Sequence, residues 1–325
     1  CPQARKVLLI PENHTRNLFY LENVLRLAEI FTAAGFEVRV GSLIPDLNES
    51  IDIRLPSGQS LHLAPVRREN DQLVVEDFLA DVILLNNDLS GGLPDILVGL
   101  ADQSQLVPLR AGWWSRRKSD HFRQYDTVAK SFADAFEFDP WLINPYFSVC
   151  KEVNFQKREG EPCLSEVVDG LLTRIREKYS QYNIDETPFV VLKADAGTYG
   201  MGVMTVRDAS QVIGLNRKQR NKMAFVKEGM PVESVLIQEG VYTIESVEGI
   251  TAESVIYLFD HDVVGGFYRV NDSRGRDENL NAAGMRFAPF NQPGEVLSDD
   301  AYANTVIGRL AALAAGREIA DMEHL

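Results

Sequence analysis

Apolar and polar positions in the first third of the chain alternate between two periods. Lys6-Val-Leu-Leu-Ile10 is a short apolar run stopped by Pro11, which predicts a buried strand. Leu21, Val24, Leu25, Ala28 and Phe31 recur at helical spacing within 18–34, and Gly35 ends the pattern. Phe36-Glu-Val-Arg-Val40 alternates as a strand does, and Asp81 to Asn86 is a second buried apolar run ending in a polar loop. Strand, helix, strand predicts an α/β unit with a parallel sheet. The stretch 45–76, broken by Pro56, Gly58 and Pro65, reads as a β-hairpin excursion.

Residues 120–136 read as a helix, and Asp139-Pro140 and Asn144-Pro145 then interrupt the pattern. The expected division is therefore 1–136 and 137–325. Leu164, Val167, Val168, Leu171, Leu172, Ile175 and Tyr179 share one face of an amphipathic helix ending near Tyr182. The period then shortens to two: 189–193, 201–206, 235–238, 253–259 and 263–270 all read as strands. Asp208 with Gln211 three residues on is a weak helix start. Ser298-Asp299-Asp300 caps a last helix, 301–320, with Val306, Leu310 and Leu313 on its apolar face.

Composition narrows the function. Of 325 residues, 33 are Lys or Arg and 47 are Asp or Glu, a formal net charge of −14. That balance opposes a general nucleic-acid or anionic-membrane binder, since such binding needs clustered cations, though a local basic pocket stays open. No apolar run reaches membrane-span length, and with no charged n-region followed by an h-region visible at the start, no signal peptide is expected. Cys1, Cys150 and Cys163 make no even framework, so we expect no disulfide scaffold and a reducing cytoplasm. The first residue is Cys rather than Met, which leads us to expect processing or a missing N-terminal segment.

The richest chemistry lies in Phe189-Val-Val-Leu-Lys193-Ala-Asp-Ala-Gly197-Thr198-Tyr-Gly200-Met-Gly202. A strand delivers a lysine, and glycines then let backbone amides approach phosphate oxygens. A strand follows rather than a helix, so this is neither a P-loop nor a dinucleotide fingerprint. A bland glycine-rich turn is the competing reading. Val235-Leu-Ile-Gln238-Glu239-Gly240-Val241 offers backbone groups for an adenine edge and a carboxylate for ribose hydroxyls. Arg269 ends a strand, where it can meet charge on a transferring phosphoryl group. Glu278, Asn279 and Asn281 are hard oxygen donors of the kind Mg2+ prefers.

In this order the elements resemble the ATP-grasp fold, and Asn279-Leu-Asn-Ala-Ala-Gly284 resembles a stretch of bacterial glutathione synthetases. The whole chain resembles the small bacterial glutamate–cysteine ligase family, through Pro11-Glu-Asn-His-Thr-Arg-Asn17, Leu109-Arg-Ala-Gly-Trp-Trp-Ser-Arg-Arg-Lys118 and Asn144-Pro-Tyr-Phe-Ser-Val-Cys150. The resemblance implies an α/β (α+β) ATP-grasp ligase fold behind an N-terminal parallel α/β domain. It implies that ATP phosphorylates the γ-carboxylate of L-glutamate and that the amine of L-cysteine displaces the phosphate, giving γ-glutamylcysteine and ADP. Lys193 would hold phosphates, Gly197, Thr198, Gly200 and Gly202 would cover them, and Arg269 would steady the γ-phosphoryl group. Gln238, Glu239 and Val241 would seat adenine, with Asn279 also on the nucleotide. A second lysine precedes Lys193 in this fold, and Lys151 and Lys157 both qualify.

Asn13, His14 and Arg16 follow a strand end, Asn87 follows another, and Arg110 and Arg116 flank Trp113-Trp114; these are the expected amino-acid contacts. A solvated basic edge is the bland reading of 116–118, core packing that of at least one tryptophan, and a helix cap that of His14. One departure bears on the metal. Glutathione synthetases carry a later Glu-x-Asn that holds magnesium, and here only a helix follows the loop. Metal ligation would then fall to Glu253, Glu278 and Asn281, or to Asp321-Met-Glu323. No nucleic-acid or membrane partner is expected, and a homo-oligomer stays open. The alternatives are another carboxylate–amine ligase of this fold, a degenerate nucleotide binder and a dinucleotide-binding protein, the last disfavoured by Ile10-Pro-Glu-Asn-His14.

Overall fold

The computed structural model describes residues 3–12, 17–100, 103–106, 108–197, 202–225, 229, 231–290 and 299–323. The chain divides into two compact units, 1–116 and 117–325. In the first, β1 (Lys6–Pro11), α1 (Leu18–Ala33) and β2 (Glu37–Ser42) form the expected parallel crossover. Then come β3 (Ile51–Arg54), β4 (Ser60–Glu69), β5 (Gln72–Val75), β6 (Phe78–Leu79), β7 (Val82–Asn86) and β8 (Ser104–Leu106). They make an eight-stranded sheet in the order β6-β5-β4-β2-β1-β7-β8, with β3 paired to β4. Its centre is parallel, and the antiparallel pairs β3–β4 and β4–β5 are the hairpin excursion of 45–76. β1 is apolar throughout because both its faces are covered: Leu8 and Ile10 enter one core, while Leu9 enters another with Leu21, Val24 and Ala28 of α1. The carboxyl ends of β1 and β7 lie side by side, with Pro11 opposite Asn86.

The second unit opens with α2 (Lys118–Ala135), β9 (Phe147–Lys151), α3 (Glu161–Tyr182), β10 (Val190–Ala194) and β11 (Val203–Val206). It continues through α4 (Ser210–Ile213), α5 (Arg217–Ala224), β12 (Ser234–Glu239), β13 (Ser246–Val247), β14 (Ile250–Phe259), β15 (Asp262–Val270), β16 (Arg286–Pro289) and α6 (Asp299–Glu323). Two four-stranded antiparallel sheets result, β11-β10-β12-β9 and β13-β14-β15-β16. Leu164, Val168, Leu171, Leu172, Ile175 and Tyr179 of α3 pack on Val190, Leu192, Ala194, Val235 and Ile237, so one face of the first sheet is core. Strand alternation turns Val191, Lys193, Leu236 and Gln238 to its other face.

Three expectations are corrected. The units meet at 116/117, not 136/137: Tyr125, Val128 and Ala129 of α2 pack on Leu310 and Ala314 of α6, so the helix belongs with the second unit. Cys150 and Cys163 form a disulfide, since α3 begins beside the end of β9 and brings together residues 13 apart in sequence. Cysteine number alone does not reveal such a pair. On α6, Leu310 is buried as expected, but Val306 and Leu313 are exposed; α2 covers only a narrow stripe through Leu310 and Ala314. Among the described residues no helix is long and apolar enough to cross a membrane.

Candidate functional site

Lys193 stands between β11 and β12, paired in register with Val203 and Leu236, on the sheet face away from α3. Its Nζ donates to Gln238 Oε1 at 2.9 Å. Burial pushes the Lys193 ammonium below its ordinary pKa, and the negative charge of Glu253 opposes that shift. Glu253 sits on β14 directly opposite Arg269 of β15, and the two form an ion pair through Arg269 Nη1. Arg269 Nε is buried without a hydrogen-bond partner. The described structure thus gathers Lys193, Gln238, Glu253 and Arg269 from both sheets. A buried N–H left orphaned beside two cations fits a site that takes an oxyanion.

Gly197 and Gly202 have positive φ, +89° and +62°, at the two described ends of the glycine-rich segment. Thr198 and Gly200 lie outside the described residues. Lys118 meets this segment at its base, its Nζ donating to Ala194 O at 2.9 Å and Gly197 O at 2.7 Å. The sequence offers a solvated basic edge as one reading of 116–118, and it does not reveal this contact, whose partners lie 76 and 79 residues away. Lys151, the last residue of β9, is exposed on a cavity of about 610 Å³ that it shares with Arg117, Arg123, Ser119 and Asp195. Lys157 is exposed in the loop before α3 and is not brought to Lys193.

The hinge after β12 departs from expectation in one side chain. Glu239 is buried, and its carboxylate accepts from Trp141 Nε1 at 3.0 Å and from Tyr146 N at 2.9 Å. Burial raises its pKa, and these bonds oppose the rise. This carboxylate is committed inside the fold, because the period of two sends it to the α3 side. Gly240 is required here, because a Cβ would lie 1.9 Å from the Phe189 ring. Val241 is exposed. Glu239, Gly240 and Val241 also border an apolar cavity of about 470 Å³ with Trp141, Tyr179 and Ile244.

The residues expected to hold a metal are each engaged within the protein, and two of them, Glu278 and Asn281, line one cavity. Glu278 accepts from Gly275 N at 2.8 Å and Arg274 Nη1 at 2.9 Å, and these bonds hold its carboxyl below the ordinary range. Asn279 Oδ1 accepts from Asn281 N at 3.0 Å. Those residues line a cavity of about 430 Å³ with Thr205 and Lys222, whereas Glu253 is engaged by Arg269. Among the described residues no group of three or more His, Cys, Asp or Glu is arranged to hold a metal ion.

In the first unit, Asn87 Nδ2 donates to Pro11 O at 3.3 Å, and its Oδ1 accepts from Leu89 N. Trp113 N donates to Asp88 O at 2.9 Å, which brings the 109–116 segment to the end of β7. Arg116 lies 5.3 Å from the Trp113 ring centroid, and Trp113 is half-buried rather than core. Trp114 is more exposed, with its Nε1 donating to Leu109 O. Arg110 is exposed in the same segment. Asn13, His14 and Arg16 lie outside the described residues.

Comparisons with known proteins add to this geometry. Among curated proteins nothing matches. A provisionally assigned γ-glutamylcysteine synthetase from Methylobacillus flagellatus KT is 52% identical, with a TM-score of 0.90, over 99% of this chain and 78% of that one. The VanG D-Ala:D-Ser ligase from Enterococcus faecalis is 12% identical with a TM-score of 0.47, over 96% of this chain and 83% of that one. Likeness at the latter level says nothing about substrate. The family model for glutamate-cysteine ligase matches residues 1–319, and with that match across nearly the whole length the chain belongs to the glutamate–cysteine ligase family.

Proposed function

We propose that the protein joins the γ-carboxylate of L-glutamate to the amine of L-cysteine at the expense of ATP, on an ATP-grasp site built by the second unit. The carrying observation is the convergence of Lys193, Gln238 and the Glu253–Arg269 pair, with Arg269 Nε orphaned in the interior. ATP supplies the phosphoryl group that turns the γ-carboxylate into a substrate for the amine. Lys193, with Lys118 as the second lysine, holds phosphate oxygens, and Gly197 and Gly202 let main-chain amides approach them. Arg269 spends Nη1 on Glu253, which orients the guanidinium, and presents Nε to the oxygen whose charge grows during transfer. Gln238 orients the Lys193 ammonium and, with the main chain of 239–241, receives the adenine. The family uses a divalent metal, and we propose Mg2+, although among the described residues no group of three or more His, Cys, Asp or Glu is arranged to hold it.

The first unit would receive an amino acid at the ends of β1 and β7, with Arg116 and Arg110 as carboxylate partners and Asn87 shaping the loop. The test is ADP release with glutamate plus cysteine against each amino acid alone, followed by identification of the dipeptide linkage. Turnover requiring both, with a γ-linked product, is expected. Turnover with one amino acid alone, or with an α-linked product, would refute the assignment.

A further inference from the structure

Asp195 lies two residues after Lys193, where β10 gives way to the glycine-rich segment. It is 3% exposed, and none of the roles above requires it. Its Oδ1 accepts from Ser119 N at 2.8 Å; its Oδ2 accepts from Ser119 Oγ at 2.9 Å and Ser234 Oγ at 3.1 Å. Its main chain makes two more bonds: Asp195 N donates to Ser234 O at 3.0 Å, and Lys118 N donates to Asp195 O at 2.9 Å. One residue therefore joins the first turn of α2, the start of β12 and the end of β10.

The local sequence explains why the carboxylate is used this way. Arg117, the residue before α2, makes no side-chain cap bond. The helix nonetheless leaves its first amides unpaired and carries partial positive charge at that end. Asp195, remote in sequence, supplies the missing acceptor. The same helix turn delivers Lys118, whose Nζ lies on Ala194 O and Gly197 O. Lys193 and Lys118 are thus both held within two residues of the anchor, one on each of the elements it ties together.

We infer that Asp195 is a positioning residue for the nucleotide: it locks the end of β10 to the start of α2, which fixes the two lysine side chains relative to one another. The inference rests on the reading that these lysines hold phosphate. Asp195 itself touches neither nucleotide nor amino acid. It acts by geometry, because two cations that share one polyanion must keep a set spacing.

The experiment compares wild type with Asp195→Ala, Asp195→Asn and Ser119→Ala. The readouts are calorimetric titration with a non-hydrolysable ATP analogue, and the KM values for ATP and glutamate at a temperature well below each variant's unfolding. In Asp195→Ala the analogue should bind about tenfold more weakly while the glutamate KM stays within about twofold. Asp195→Asn should recover part of that loss, since an amide oxygen still caps Ser119 N. Should the alanine variant fail to fold, Ser119→Ala decides the matter: it keeps the carboxylate, removes one donor, and should weaken the analogue by about threefold with an unchanged glutamate KM. Unchanged analogue affinity in variants with altered thermal stability would overturn the inference, as would an equal rise in both KM values. If wild type itself binds no analogue, the nucleotide reading fails and the inference with it. Wild-type binding alongside unaltered variants refutes the inference alone.

Discussion

Arg269→Lys separates the proposed role of Arg269 from a purely structural one, because activity and stability should move in opposite directions. Lysine keeps a positive charge opposite Glu253 across β14 and β15, so the ion pair survives. What it removes is Nε, the buried N–H with no partner among the described residues. A buried unpaired donor costs the free protein about 1–3 kcal/mol, so the variant should be as stable as wild type or more stable. If the substrate's phosphoryl oxygen is the partner for Nε, its loss removes one charge-assisted hydrogen bond in the transition state, about 1.5–3 kcal/mol. That corresponds to a fall in kcat of roughly tenfold to a hundredfold. The ATP KM should change less, because the partner charge grows only during transfer. Steady-state ADP release at saturating glutamate and cysteine gives kcat and KM, and a thermal melt without ligands gives stability. Wild-type kcat in Arg269→Lys would refute the reasoning. A fall confined to KM would move Arg269 to ground-state binding.

Lys193→Ala should abolish tight nucleotide binding yet leave the melt close to wild type, since Lys193 is half-buried, as is Gln238, its hydrogen-bond partner among the described residues; calorimetry and the melt check both halves. Because burial depresses the Lys193 pKa, the ammonium is fully present at low pH and is lost on raising pH before an ordinary lysine would be. Nucleotide affinity should therefore decline with rising pH below the usual lysine range, and Lys193→Arg, which does not titrate there, should flatten the profile. Gly240→Ala places a Cβ 1.9 Å from the Phe189 ring, an overpacking worth about 1–3 kcal/mol or more, which should show as a lowered melting temperature. Reducing the Cys150–Cys163 bridge, or replacing Cys163 with Ser, should lower stability by about 3 kcal/mol for a loop of this length, measured by denaturant unfolding with and without reductant.

Much of the candidate site was legible in one dimension. Lys193 and Arg269 stand at strand ends that their local alternation predicts, and the order of strand, glycine segment, hinge and second sheet needs no coordinates. Glu239 reads in the sequence as an available carboxylate at a strand end, while strand alternation sends it toward Trp141 and Tyr146. Glu253 is a metal-ligand candidate in the sequence for want of a later Glu-x-Asn, and the structure adds that its register partner across the hairpin is Arg269. The contacts of Lys118 and Asp195 are not legible in the sequence because their partners lie 39 to 79 residues away, beyond any local pattern.

The order of apolar runs by itself determined the parallel crossover of β1, α1 and β2, the apolar face of α3 and the strand segments of the second unit. Those features follow from side-chain periods of two and 3.6, which any stretch of chain carries within itself. Tertiary structure alone decided that α2 packs on α6, that Cys150 meets Cys163, and that Asp195 caps a helix from another strand. Each of these is a meeting of distant segments, set by which faces must be buried together rather than by neighbours in sequence.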